Sequence, residues 1–370
     1  KADGNANLFI INPYGISFGT NATLNIGGSF LASSAEAIKL ADGTIFSAKN
    51  PQNTPLLTIS VPVGLQFGDT PGTIENLSTV SGVGLQVPTG KTLALVGGDV
   101  TLNGGLITVN QGRIELGGVG QGSEVKIIPT PDGFTLNYDQ VQHWQNISFI
   151  NIGAIDTSGD PAGNINIQGK NLIVNDDSYI QAGTIDNLGG DININTSDSI
   201  IMQGASYISA FTDGTGKSGN ININTKHLLL QDGPQILPFA FGEGQSGNLN
   251  VKADTITIDG YVKAGPYTGF PSGLFSITSN QGNTGNVTII TNILLVRNGG
   301  QIFVGSSGAG KGGLLDITAK SIELIGSAGN NQFLVTGLFA NTENTGAAGN
   351  LTVNAESIII KGGAQIAAIT

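Results

Sequence analysis

Carboxylates are the first groups to test for catalysis in a chain with two histidines and no cysteine. Hydrolysis of a glycosidic bond needs two carboxyl groups held several ångströms apart across a sugar. Asp176 and Asp177 are adjacent. A strand would point them to opposite faces, so the pair reads as a turn. Asp156 and Asp160 flank Gly159 in a loop. Arg113 and Arg297 are the only arginines, too few to stabilise an acidic-sugar intermediate. Two segments imitate a phosphate loop. The stretch from Gly305 to Lys311 has the glycine spacing, but Gly312 stands where a metal-binding hydroxyl belongs. Gly216-Lys217-Ser218 has the hydroxyl, but Phe211 replaces the first glycine. Neither precedes a helical pattern, which that motif requires. His143 and His227 are far apart and have no His-x-x-x-His spacing, so no zinc site is expected. No calcium-loop pattern is present. The reading is a non-enzyme with no catalytic residues, no metal and no cofactor.

The elements explain why chemistry is scarce. Glycine supplies 57 of 370 residues and charged residues only 11%, with a net charge of −11. The acidic balance argues against a nucleic-acid binder. No apolar run reaches the roughly 18 residues of a membrane-spanning helix, so the chain is read as not membrane-spanning. Glycine, asparagine and aspartate punctuate short runs of Ile, Val, Leu and Thr, the composition of turns and strands. Even Ala32 to Leu40, the best helical candidate, reads as strand or loop.

The second half repeats. Gly163-Asn164-Ile165-Asn166-Ile167 recurs as Gly190-Asp191-Ile192-Asn193-Ile194 and Gly219-Asn220-Ile221-Asn222-Ile223. It continues from Gly247, Gly285, Gly313 and Gly349, at spacings of 27, 29, 28, 38, 28 and 36 residues. Each unit adds a second apolar run, such as Leu228-Leu229-Leu230, and a third of the form Ile-x-Ala-x-Thr, such as Ile208 to Thr212. Three short strands per repeat of about 28 residues are the signature of a β-solenoid. Alternation puts Ile165 and Ile167 on the inner face, and stacking coils closes the core. Asn164, Asn220, Asn248, Asn286 and Asn350 share one register, broken by Asp191 and Leu314. The spacing predicts a partial amide-stacking ladder; five unrelated turn asparagines are the alternative.

The register also locates insertions. From repeat glycine to third-run anchor the spacing is 17 or 18, except for 27 after Gly247 and 25 after Gly313. Both extra segments fall at one corner, two coils apart. The first carries Tyr261, Tyr267 and Phe270; the second carries Asn330, Asn331 and Phe333. Rings with amides suit the flat faces of sugars, and insertions on one solenoid face are often its binding face. The other reading is that the rings fold back to cover the corner. Phe134, Tyr138, His143 and the single tryptophan, Trp144, gather in the segment after residue 128. They read as a packed junction, with a binding site as the second reading.

Residues 8–19, LFIINPYGISFG, hold Asn12, Pro13, Tyr14, Gly15 and Ile16. Asn-Pro followed by Gly two places later is a turn signal. The motif also resembles the Asn-Pro-x-Gly-Ile motif of the two-partner secretion domain of filamentous-haemagglutinin-like exoproteins. The runs NATLNIGGSFLASSA (21–35), FSAKNP (46–51) and VGLQVPTGKTLALVGGDVTLNGGLITVNQGRIELGG (83–118) resemble later parts of that domain, in the form common in cyanobacteria. Tyr14 departs from the commoner Asn.

The resemblance implies a right-handed parallel β-helix exported through an outer-membrane transporter, with Asn12, Pro13, Tyr14, Gly15 and Ile16 as the secretion motif. The expected organisation is the later part of a secretion domain over 1–128, a junction over 129–160, and shaft repeats over 161–370. The chain then reads as a fragment of a longer exoprotein, cut off mid-repeat. The expected function is a secreted adhesin or haemagglutinin, associated with the surface of a Gram-negative-type bacterium. Its expected partners are the transporter and surface glycans or other cells. A structural matrix component without a specific ligand is the alternative, and a polysaccharide-degrading β-helix enzyme a more distant one.

Overall fold

The Ile-Asn-Ile-Asn alternation of the shaft becomes an inside and an outside. The computed structural model describes residues 4–50, 60–327 and 334–369. Among these, nearly all regular structure is strand, with one short 3₁₀ helix at Val80–Gly82. The strands lie in sheets of 18, 10 and 5 members. The two larger sheets are parallel throughout, and the small one is antiparallel.

Each shaft coil contributes three strand segments, as in Ile221–Asn224, His227–Gln231 and Gln235–Ala240. In some coils the first two fuse into one long strand, as in Ile192–Gln203. Every segment pairs with its counterpart one coil on. The first-strand register runs Ile165, Ile192, Ile221, Leu249, Val287, Leu315, Leu351. The third runs Ile180, Ile208, Ile236, Leu274, Ile302, Leu338, Ile366. Apart from the last coil these side chains are fully buried, in one apolar core that extends from Phe30 to Ala340. The expected parallel β-helix is the architecture found.

The repeat glycines have a steric cause. A Cβ on Gly190 would sit 1.6 Å from the Gly163 carbonyl oxygen, and one on Gly219 1.8 Å from that of Gly190. Backbone packs on backbone here, and no side chain fits. The asparagines beside them do form a ladder, but not by amide stacking. The Asn164 side-chain oxygen accepts the Asp191 backbone N–H at 2.8 Å, and Asp191 in turn accepts that of Asn220. Asn220, Asn248 and Asn286 accept the N–H of Asn248, Asn286 and Leu314. Asp191 therefore continues the ladder, because only an acceptor oxygen is required. Leu314 has none and ends it. Amide-to-amide bonds occur two residues further along, from Asn222 to Asn193 and from Asn250 to Asn222.

The first third is built differently. Ala32 to Leu40 is indeed extended, within strands Phe30–Ser33 and Ala37–Leu40. The antiparallel sheet orders its strands Gly133–Asn137, Glu124–Thr130, Pro62–Gln66, Ala37–Leu40, Ile45–Ser47 and packs on the outside of the coils. It closes a second core from Leu31, Ala94, Val96, Phe67, Val125 and Phe134, against which Trp144 also packs. Glu115 is caught at this seam, only 1% exposed. It accepts hydrogen bonds from Asn166 at 2.7 Å and Arg113 at 3.2 Å. Burial outweighs those contacts and raises its carboxyl from 4.5 to about 7. The nearby Tyr138 phenol, pushed well up by burial and then by Glu115, has a buried oxygen with no hydrogen-bond partner.

Candidate functional site

Asn12, Pro13, Tyr14, Gly15 and Ile16 form one tight turn between strands Leu8–Ile11 and Ile16–Phe18. The Gly15 N–H donates to the Asn12 carbonyl at 3.0 Å, which closes a β-turn with Pro13 at its second position. The Asn12 side chain accepts the Tyr14 N–H at 3.2 Å, an Asx turn. Gly15 has φ +110°, and a Cβ there would meet the Thr73 carbonyl oxygen at 2.6 Å. The Pro13 carbonyl accepts the Gly72 N–H, and Ile16 donates to Thr73, so the turn is laid on the next coil. Tyr14 points outward, 91% exposed. The one position that departs from the usual motif is thus free of packing demands.

The two insertions leave the same corner. They precede strands Gly273–Thr278 and Gly337–Thr342, each of which pairs with Gln301–Ser306 between them. Asn330, Asn331 and Phe333 lie outside the described residues. The first insertion is a small hairpin flap. Tyr261 bridges Pro271, and the Val262 and Gly269 N–H groups donate to the Phe270 and Val262 carbonyls. Tyr261 is half-buried at its base. Tyr267 and Phe270, about half exposed, hold their rings 5.8 Å apart at the tip.

That tip overhangs the outer face of the third-strand sheet and bounds a groove of about 880 Å³. Ile208, Ala210 and Ile236 point into the core, so alternation turns Ser209, Phe211, Leu237 and Phe239 outward onto the groove floor. Phe239 and Phe241 meet edge to face at 3.9 Å. Glycine gives the rings room: a Cβ on Gly183 would lie 2.2 Å from the Phe211 ring. Tyr207 stacks on Tyr179 at 5.1 Å and donates to the Gln181 side-chain oxygen, while Gln181 donates to Asp156. Burial, then the neighbouring Tyr179, pushes the Tyr207 phenol well up. Tyr267 and Phe270 were legible as site candidates. Phe211, Phe239, Phe241 and Tyr207 were not singled out. Their signal was a ring at outward positions of the third run, repeated at Phe303 and Phe339.

The remaining candidates have structural surroundings. Asp176 and Asp177 both adopt positive φ in a turn, as their adjacency implied. Asp160 accepts the Asn187 backbone and side-chain N–H groups and the Thr184 hydroxyl. Desolvation is the largest single influence and raises its carboxyl, but these bonds together outweigh it and hold the carboxyl below the usual value. His227 bonds Thr255. Exposed His143 and half-buried Trp144 line a separate, polar cleft that also holds Asp69, Lys170 and Lys226. Among the described residues no group of acidic or histidine side chains could hold a metal ion.

A parallel β-helix with an outer side sheet and a turn-borne Asn-Pro-x-Gly-Ile motif defines a class, and comparison with known families agrees. The family model of the TPS secretion domain matches residues 1–167. Residues 1–167 of the chain thus match a two-partner secretion domain. Such a domain implies export from a Gram-negative bacterium with an outer-membrane transporter as partner, and the domain itself is a secretion-related, non-enzymatic family. No curated protein matches the sequence. Among solved structures, the crystal structure of the HMW1 secretion domain from Haemophilus influenzae is similar. The identity is 19% and the TM-score 0.47, over 96% of this chain and 80% of that one. Among the described residues no helix is long and apolar enough to cross a membrane.

Proposed function

We propose that the chain is a non-enzymatic, adhesin- or haemagglutinin-like exoprotein that acts at the cell surface. In this reading the turn of Asn12, Pro13, Tyr14, Gly15 and Ile16 is the part of the secretion domain that the transporter reads. The shaft then carries contact residues away from the cell. Its coils wind right-handed with about 28 residues each; the 29-residue step between the paired Ile192 and Ile221 supports the coil length. The division into 1–128, 129–160 and 161–370 belongs to the same proposal. Tyr261, Tyr267 and Phe270, with Asn330, Asn331 and Phe333 of the second insertion, are the proposed contact residues for surface glycans or other cells. Repeated weak contacts along a shaft gain strength by multivalency.

The observation that carries the reading is a secretion domain continuous with a shaft whose outer face bears partly exposed aromatic rings. Export is tested in a Gram-negative host with and without the cognate transporter, with protein measured in the medium. Loss without the transporter is expected, and Asn12→Ala should reduce export. Unchanged export without the transporter overturns the proposal. Contact is tested on a glycan array and on whole cells. Absence of binding by both the natural chain and a Tyr261/Tyr267/Phe270 triple alanine variant would leave a structural matrix role, which the regular ladder of the shaft favours.

A further inference from the structure

The groove beneath the flap has a chemistry of its own. Its floor is Phe211, Leu237 and Phe239, and its overhang is Tyr267 and Phe270. Its larger polar side chains are satisfied within the protein, and among the described residues the buried Ser206 hydroxyl lacks a partner. Tyr207 is bonded to Gln181, Gln181 to Asp156, and the Gln235 amide to the Pro271 carbonyl. A ring of sugar hydroxyls would find few free partners here, whereas hydrocarbon would lose only water. The size is that of a small-ligand site, in which mostly apolar walls carry a few oriented polar groups.

Charge completes the picture. Among the described residues Asp213 is the only charged one that lines the groove. It is exposed, and among the described residues no cation pairs with it. It sits beside Phe241, whose N–H donates to the Thr212 carbonyl and whose ring is 58% exposed. A carboxylate next to exposed aromatic faces attracts organic cations, since ring quadrupole and charge act in the same sense. The same carboxylate, on a chain of net charge −11, repels anionic head groups.

We propose that this groove binds a cationic amphiphile. Its apolar chain lies on Phe211, Leu237 and Phe239 beneath Tyr267 and Phe270, and its ammonium head meets Asp213 and Phe241. This ligand class goes beyond the contact role and does not depend on export.

The test is calorimetry on the purified chain with three probes that share one alkyl chain: dodecyltrimethylammonium, dodecyl maltoside and dodecyl sulfate, each kept below its micelle concentration. Affinity should fall in that order. Phe239→Ala and Phe270→Ala should each weaken the cationic probe by about tenfold or more, the loss expected when a Phe contact is removed. Asp213→Asn, at an exposed position, should leave the thermal melt unchanged and bring the cationic probe down to the affinity of the neutral one. No binding by any probe, binding indifferent to the head group, or binding unchanged in both Phe variants would each overturn the proposal. A negative result with whole-cell contact intact would remove this ligand and leave the contact reading in place.

Discussion

In strand Thr92–Gly97 both faces are buried, with Leu93 and Leu95 in the helix core and Ala94 and Val96 beneath the side sheet. In strand Ile221–Asn224 only Ile221 and Ile223 are buried, while Asn222 is half-buried and Asn224 faces water. The amino-terminal coils are thus held from inside and outside, and the shaft coils only from inside and by the coils above and below. A strand covered on both faces loses its alternation, as in Thr-Leu-Ala-Leu-Val-Gly, and one covered on a single face keeps it, as in Ile-Asn-Ile-Asn. Two kinds of stability follow, one from layered packing and one from stacking in register.

Substitutions can separate the two. The largest effect is expected at the stacking contact. Gly219→Val would drive a side chain into the Gly190 carbonyl, and a loss above about 4 kcal/mol is expected, in the range of exceptional single changes. Thermal unfolding followed by circular dichroism should show the shaft transition lowered or lost. Gly122→Ala in the amino-terminal part, where nothing lies within 4 Å, should cost only about 1 kcal/mol through its positive φ. If the two variants melt alike, stacking is not the dominant constraint on the shaft.

Phe134→Ala acts on the layered packing. Removing this fully buried ring should cost about 3–5 kcal/mol and free the side sheet. Trp144 packs against the same core, so its fluorescence should report an early transition while the shaft melts as before. A single shared transition would show that the two regions fold as one unit.

Glu115 tests the seam by pH. Its carboxyl titrates near 4.5 when unfolded and at about 7 in the fold. Between those values the unfolded chain has lost the proton that the folded chain keeps. Stability is therefore full below about pH 4.5, declines as pH rises to about 7, and stays reduced above. Glu115→Gln should flatten this decline and, at pH 8, stabilise the amino-terminal part by up to about 3 kcal/mol. Denaturant midpoints at pH 4.5 and 8 measure it. An equally small effect is expected of Asn220→Ala, which removes the acceptor for the Asn248 N–H at 3.0 Å. About 1 kcal/mol should be lost, and hydrogen exchange at Asn248 should rise first.

The shaft was legible because one residue type repeats at each place in the coil. The glycine-to-anchor spacing even located the flap, and so Tyr267 and Phe270. The rest was hidden for definite reasons. The side sheet depends on antiparallel pairings between distant strands, such as Glu124 with Gln66, which leave no period. The groove floor uses outward positions of the third strands, where Phe211 and Phe239 look like ordinary strand aromatics. Which rings would converge depended on how the flap turns back, and its Val262–Phe270 bonds are not written in any spacing. Tyr261 went to the base of the flap for the same reason. The asparagine register was visible, but the bond it makes, from side-chain oxygen to the next backbone N–H, was not.

That bond gives the shaft a polarity of assembly. At this corner each finished coil offers one open side-chain acceptor, and the next coil arrives with the matching backbone donor and a glycine to let it close. Successive junctions, such as Asn220 to Asn248 and Asn248 to Asn286, are chemically alike. A whole coil can therefore be removed or duplicated between them without either neighbour meeting a new surface. The removal of one residue from a strand would instead shift the inward side chains beyond it in that strand to the outside. Length, in such a molecule, is free to vary in whole coils and fixed within each one.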